Sequence, residues 1–203
     1  MLAAAIALVD EAGLAALTMR ELGQRLGVEA MSLYNHVSNK DDILDGIVDL
    51  VVSEIDLPSD TADWKEAMRR RATSAQSVFT RHPWASGLID SRQSSGPARL
   101  RYFDWVLGTL RRAGFSLEMS ARAFSILDSY VYGFGRQQLS LAAGGDMTPE
   151  EMAAAFRKAI PPDEYPYLTE MVVDYAITSG NDVEADFRFG IDLILDGLGR
   201  LLA

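Results

Sequence analysis

Ser32, Tyr34, Asn35, His36 and Lys40 bring small or flat hydrogen-bonding groups and one cation into nine residues. Side chains of these types pair with base edges and phosphate oxygens. Ser38 caps the helix that follows, so backbone amides and the Lys40 ammonium converge where one phosphate could be held. Catalysis needs other constellations, and none assembles. No Gly-x-Gly-x-x-Gly follows a strand, and no phosphate-cradling Gly-Lys-Ser/Thr loop or Gly-x-Ser-x-Gly elbow is present. The acidic pairs Asp41/Asp42, Glu150/Glu151 and Asp163/Glu164 point in different directions on a helix and suit helix starts. The chain has no cysteine and only two histidines, His36 and His82. Disulfides, thiolate chemistry and a multi-histidine metal site are therefore excluded, and neither a metal nor a cofactor is expected.

The elements around these residues read as one helix after another. Leu2, Ile6 and Val9 recur at helical spacing up to Gly13. Thr18-Met-Arg-Glu21 has the form of a capping box and opens a helix that buries Leu22 and Leu26 and stops at Gly27. A very short segment from Glu29 to Asn35 follows, with Val28 and Leu33 plugging it against the helix before. That is a helix, a tight turn and a second short helix, the geometry that lays its second helix in a major groove. Beyond Ser38, the pairs Ile43/Leu44, Ile47/Val48 and Val51/Val52 carry a longer helix to Leu57-Pro58.

The pattern continues through Trp64 to Phe79, a short piece from Trp84 to Ile89, and Pro97 to Gly114. The longest helix opens at Ser116 and ends at Gly144-Gly145. Thr148-Pro-Glu-Glu151 is a second capping box, and helices over about 163–178 and 183–202 close the chain. No alternating run of β-branched and aromatic residues marks a strand. The expectation is an all-α protein of about ten helices. A three-helix helix-turn-helix domain is expected over residues 1–46 and a separate helical bundle over 47–203.

Length and charge narrow the function. At 203 residues the chain can bury a proper core. Its net charge of −10 argues against bulk attraction to nucleic acid or to an acidic membrane. Residues 1–40 carry 3 basic and 4 acidic groups, so any DNA contact there depends on local arrangement. The apolar start, Met1 to Val9, lacks a basic leader and runs into Asp10-Glu11, which speaks against a signal peptide. No uncharged apolar run approaches the ~18 residues of a membrane span. A cytoplasmic location fits these features.

The string Leu17-Thr-x-Arg-x-Leu22, Leu26-Gly-Val28, Leu33-Tyr-x-His-Val37 and Asn39-Lys40 resembles the TetR family of bacterial transcriptional repressors. Trp64 at a helix start, Gly114-Phe-Ser-Leu-Glu118 and Gly133 in a long helix resemble the regulatory domain of the tetracycline-repressor type. The resemblance implies a dimeric, ligand-responsive regulator, most simply a repressor that a small molecule releases from a palindromic double-stranded operator. It places Thr18 and Arg20 on the approach helix and Ala30, Met31 and Ser32 at the start of the recognition helix. Tyr34 and His36 would contact phosphates with Asn35 beside them, and Lys40 would clamp the backbone. Two departures stand out: basic residues that usually precede the first helix are absent, and Asp41 and Asp42 adjoin Lys40, where they would weaken phosphate attraction if they faced DNA.

The same resemblance puts Arg71, Ala75, Ile89, Gln93, Val106, Phe124, Ser129 and Gln137 around the effector. Ile89 and Val106 stand where the tetracycline repressor has polar groups. The implied effector is therefore largely apolar and held without a metal, with Arg71 or Gln137 as polar anchor. Arg71 could equally belong to an exposed Arg69-Arg70-Arg71 run. The apolar stripe Phe187, Ile191, Ile194, Leu195, Leu198, Leu201 and Leu202, with Gly190 and Gly197 allowing close approach, is the expected homodimer face together with the 116–142 helix. The competing reading of the whole chain is an all-α interaction bundle that binds no DNA.

Overall fold

The computed structural model describes residues 1–59, 63–92, 96–142, 148–161, 163–172 and 182–202. Among them are eleven α-helices, one 3-10 turn at Leu14–Ala16 and no strand. In chain order they are α1 (Leu2–Ala12), α2 (Met19–Leu26), α3 (Ala30–Leu33), α4 (Lys40–Ser53), α5 (Trp64–Arg81) and α6 (Pro83–Ser91). Then come α7 (Pro97–Arg112), α8 (Leu117–Ala142), α9 (Pro149–Ala159), α10 (Pro166–Glu170) and α11 (Val183–Gly199). The expected all-helical class holds among the described residues; α10 falls within the helix expected over 163–178, of which residues 173–178 lie outside the described residues.

Helix starts follow local chemistry. Thr18 Oγ1 accepts the Glu21 amide at 3.1 Å, and at α9 the Thr148–Glu151 box closes in both directions. Prolines open α6, α7, α9 and α10, where the missing N–H costs nothing. The cap of α4 differs from the expected Ser38: Asn39 Oδ1 accepts the Asp42 amide at 3.0 Å. Asp42 Oδ2 in turn accepts the Ser38 amide at 2.7 Å, so Ser38 supplies backbone rather than its hydroxyl.

Two apolar cores lie side by side. The first gathers Ala5, Leu8, Val9, Leu17, Leu22 and Leu33, closed from α4 by Ile43 and Ile47. The second is larger and holds Val48, Val51 and Val52 of α4 with residues of α5, α6, α7, α8 and α11. Helix α4 thus spends its first half in one core and its second half in the other. Each fully buried Ile or Val there contributes on the order of 1.5–3 kcal/mol.

Four acidic residues fasten the small core to the large one. Asp10 of α1 lies 2.9 Å from His82 Nδ1 and accepts the Trp84 indole N–H at 2.7 Å. Arg92, just past α6, donates to Asp45 at 2.5 Å and to Asp41 at 2.7 Å, both on α4. Asp49 accepts the amides of Ala98 at 3.1 Å and Arg99 at 2.9 Å, capping the first turn of α7.

Candidate nucleic-acid interface and effector site

The short helix α3 is seated on α2 by backbone contact. Gly27 takes a left-handed conformation with φ 68° and ends α2, and the Val28 amide then donates to the Gly23 carbonyl at 2.9 Å. A Cβ on Gly23 would lie 2.9 Å from the Val28 carbonyl oxygen and 3.2 Å from the Ala30 backbone, so a side chain there would push α3 away. Leu33 is buried beneath, as its spacing predicts, whereas Val28 is 45% exposed. The plug expected from the Val28 side chain is instead its carbonyl against Gly23, with the side chain turned outward.

This seat leaves a row of side chains facing outward. Thr18, Arg20, Met31, Tyr34, Asn35, His36 and Lys40 are exposed, and Ala30 and Ser32 are half-buried at the start of α3. The two arginines of α2 divide. Arg25 is committed to Glu11 of α1 through two hydrogen bonds of 2.5 and 2.8 Å, which hold the Glu11 carboxyl below its usual range. Arg20 makes no ion pair among the described residues, so the alternative of pairing along its own helix is not realised. Ser32 turns its hydroxyl proton back to the Glu29 carbonyl at 2.7 Å and keeps only acceptor capacity for a partner. Lys40 stands in the first turn of α4, while Asp42 is drawn into the cap and Asp41 is held by Arg92.

A second cluster of chemistry lies deep in the large core. Arg71 is fully buried on the α5 face with Met68, Ala72 and Ala75, while Arg69 and Arg70 are partly exposed. The consecutive arginines do not form one exposed run, because each residue turns about 100° around the helix. Arg71 Nη1 donates to Asp128 Oδ1 at 2.5 Å and is in very close contact with the Tyr102 hydroxyl. Tyr102 donates to the same Asp128 oxygen at 2.8 Å, and Tyr132 donates to the other at 3.3 Å. Burial opposes the guanidinium charge, but the Tyr102 hydroxyl and Asp128 carboxylate more than reverse this, so Arg71 remains a cation. Burial pushes both phenols well above the ordinary tyrosine range. Arg71 Nε and Nη2 are buried and make no hydrogen bond among the described residues.

The other residues expected around the effector separate. Ala75, Ile89 and Val106 are buried in the same core as Arg71. Phe124 is half-buried, its ring 5.4 Å from Phe103 and 6.5 Å from Tyr102. Ser129 and Gln137 are on the surface of the chain rather than inward. The buried stripe of α8 runs through Ala123, Leu127 and Val131, and Ser129 is rotated away from it by two residues. Gln93 lies outside the described residues. Asp128, Tyr102 and Tyr132 were not anticipated in this role. A signal existed, since Asp128 is the only charged residue between positions 123 and 135 and sits four residues after Phe124.

A groove of about 810 Å³ between α5, α8 and α11 is lined by Gln76, Phe79, Gln138 and Val183, among others. Phe79 also meets the Tyr132 ring at 5.4 Å, which connects this groove to the buried cluster. The apolar stripe expected at the end of the chain divides as well: Ile194 is half-buried and Leu201 and Leu202, just past α11, are exposed, while Phe189 and Leu193 of α11 lie off that stripe. Phe187, Ile191, Leu195 and Leu198 are buried within the chain, whereas Phe189, Leu193 and Leu201 are 72%, 65% and 62% exposed. On α8, Leu117 and Ile126 are exposed too. No described helix is long and apolar enough to cross a membrane.

Comparison with known proteins agrees with this geometry. Residues 1–47 match the domain described as bacterial regulatory proteins, tetR family, and residues 57–202 match the tetracyclin repressor-like C-terminal domain. The HTH-type transcriptional repressor DrrR1 of Streptomyces coeruleorubidus is 32% identical, over 98% of this chain and 76% of its own length. A possible TetR family transcriptional regulator from Streptomyces coelicolor A3(2) superposes with a TM-score of 0.81 at 30% identity, covering 98% of this chain and 97% of that one. ActR of S. coelicolor, solved in complex with actinorhodin, superposes with a TM-score of 0.81 at 25% identity, over 100% and 96% of the two chains. With both halves matched and the helix-turn-helix seated as described, the chain belongs to the TetR family of transcriptional regulators.

Proposed function

We propose that this protein is a homodimeric repressor whose helix-turn-helix, residues 1–46, binds a two-fold symmetric DNA operator. Residues 47–203 would form the dimer and receive a small-molecule effector that lowers operator affinity. The observation that carries the DNA reading is the outward row of Arg20, Met31, Tyr34 and Lys40 around an α3 fixed by Gly23. Met31 is 75% exposed, an apolar group suited to a thymine methyl. Thr18, Ser32, Asn35 and His36 surround it with hydrogen-bonding groups, and Ala30 permits close approach.

Gel-shift selection from random duplex DNA tests this reading. One symmetric sequence should be enriched, and Tyr34→Ala or Lys40→Ala should weaken its binding without lowering the thermal midpoint. Lys40→Ala should also reduce the salt dependence by about one counterion per subunit. Failure to enrich any duplex at low salt would favour an interaction bundle that binds no DNA.

For the effector, Arg71 is the anchor best supported. Two of its buried nitrogens have no hydrogen-bond partner among the described residues, and Ala75, Ile89, Val106 and Phe124 lie in or against the same core. Asp128 already balances the guanidinium charge. The matching ligand is largely apolar, presents one acceptor oxygen to Arg71, and enters past Phe79. ActR offers a relative crystallised with actinorhodin, and that compound is a sensible first probe. A thermal-shift series should show stabilisation that Arg71→Met abolishes.

For the dimer, the exposed residues Phe189 and Leu193 of α11 with Leu117 and Ile126 of α8 supply the contact. The buried Phe187–Leu198 stripe does not.

A further inference from the structure

Arg92 sits on the regulatory side of the molecule, yet its side chain is spent on the DNA-binding side. It lies immediately after α6, whose Ile89, one turn earlier, is buried in the large core. Its Nε donates to Asp45 at 2.5 Å, and its Nη1 and Nη2 donate to the Asp41 carboxylate at 2.7 Å and the Asp41 carbonyl at 3.1 Å. Asp41 is the neighbour of Lys40 in the first turn of α4. The Arg92 side chain is 16% exposed, whereas Asp41 is 71% exposed. One guanidinium thus holds two carboxylates of the first two turns of α4, one of them next to the lysine in sequence, and the third acid, Asp42, is already turned back onto the Ser38 amide.

We propose that Arg92 sets the DNA affinity of this protein from within the regulatory half, by neutralising carboxylates that would otherwise repel the phosphate held at Lys40. The inference rests on the DNA-binding reading above and adds a regulatory route to it. With Arg92 in place, Asp41 and Asp45 together carry one net negative charge rather than two on the turns that begin at the lysine. Any shift of α6 that withdraws Arg92 leaves two uncompensated negative charges within a Debye length of the phosphate backbone. Release then follows from charge as well as from the spacing of the two recognition helices. Arg92 would touch no base in this scheme, so it is a positioning and screening residue.

The test uses the 203-residue protein and a duplex selected from random sequence by the wild-type form, with affinity read by fluorescence anisotropy at low and high salt. Arg92→Gln should bind on the order of 3–10-fold more weakly at low salt, with the deficit shrinking as salt screens it. Asp41→Asn with Asp45→Asn, leaving Arg92 intact, should bind tighter by a similar factor. The triple variant, which lacks both carboxylates, should bind at least as tightly as wild type. Arg101→Gln, the same charge change at an exposed site on α7, should have no effect beyond about twofold. A deficit in Arg92→Gln that persists in the triple variant, or at high salt, would show a merely structural role and overturn the proposal. So would weaker binding by the Asp41→Asn/Asp45→Asn protein, a measurement that stands even if Arg92→Gln fails to fold. An equal loss in Arg101→Gln would likewise overturn it. A wild-type protein that selects no duplex would instead remove the DNA-binding reading, and this inference with it.

Discussion

The guanidinium of Arg71 and the carboxylate of Asp128 meet at 2.5 Å where neither has more than 8% of its side chain in contact with solvent. They come from α5 and α8, 57 positions apart, and share Tyr102 as a third member. Such a pair contributes little net stability against an apolar alternative, because both ions lose hydration. Its loss by halves is another matter.

Asp128→Asn should therefore destabilise the fold by about 3–5 kcal/mol, since it leaves a buried cation without its counter-charge. The double variant Arg71→Met with Asp128→Leu should lose less than the single one. Urea denaturation followed by circular dichroism measures both. If the single variant costs under about 1 kcal/mol, the pair is better hydrated than its burial indicates.

Gly23 carries the seat of the recognition helix. Gly23→Val should lower stability by about 1–3 kcal/mol through overpacking against the Val28 and Ala30 backbone. It should also abolish specific DNA binding while leaving the stabilisation by any effector unchanged. Gel shifts and thermal shifts on one preparation separate the two effects. Retained operator affinity in this variant would mean that α3 can be held without the close contact.

Leu193→Glu places a charge on the exposed side of α11, opposite the buried Ile191 and Leu195 face. The fold of the subunit should survive, while the proposed dimer should dissociate to a particle near 22.3 kDa in light scattering. Operator affinity should fall with it, because two half-sites can no longer be engaged together. A dimer that persists in Leu193→Glu and in Phe189→Glu would move the interface elsewhere.

The buried phenols predict alkaline behaviour. Burial raises Tyr102 and Tyr132 above the free tyrosine value of about 10. A group whose folded pKa is raised holds its proton longer in the native state. Its contribution is complete below pH ~10 and is lost as pH climbs towards the folded value. Of the seven tyrosines, these two should ionise only as the protein unfolds, seen as a late step in ultraviolet absorbance. Tyr132→Phe should remove part of the stability loss above pH ~10. Smooth titration of all seven before unfolding would contradict the burial.

Legibility from sequence followed the range of the interactions involved. Thr18, Gly27, Pro97 and the Thr148–Glu151 box act within four residues, and each marks a boundary that the fold keeps. Ser38 and Asn39 are both good caps, and the choice between them depends on a backbone turn that composition does not record. The outward row from Arg20 to Lys40 was readable because periodicity separates Leu22 and Leu33 from their neighbours. Arg71 was ambiguous by charge alone, although its spacing from Met68 and Ala75 already aligned it with the apolar stripe. Its partner Asp128 and the clamp of Arg92 on Asp41 join positions 57 and 51 residues apart, which no local pattern links. Ser129 and Gln137 were placed by register with relatives, and register along a long helix carries position without fixing the face.

The division of α4 between two cores bears on how such proteins could be recombined. No flexible connector separates the reading head from the sensor, because Ile47 belongs to one core and Val48 to the other. A chimaera that borrows residues 1–47 from this chain must carry Asp10, Asp41 and Asp45 to a host that offers counterparts of His82, Trp84 and Arg92. The host's α4 must also retain an acid at position 49 for the start of α7. Exchangeability of DNA specificity is thus set by a handful of charged contacts across the junction, and hosts lacking them would receive a head that binds DNA but does not answer to the ligand.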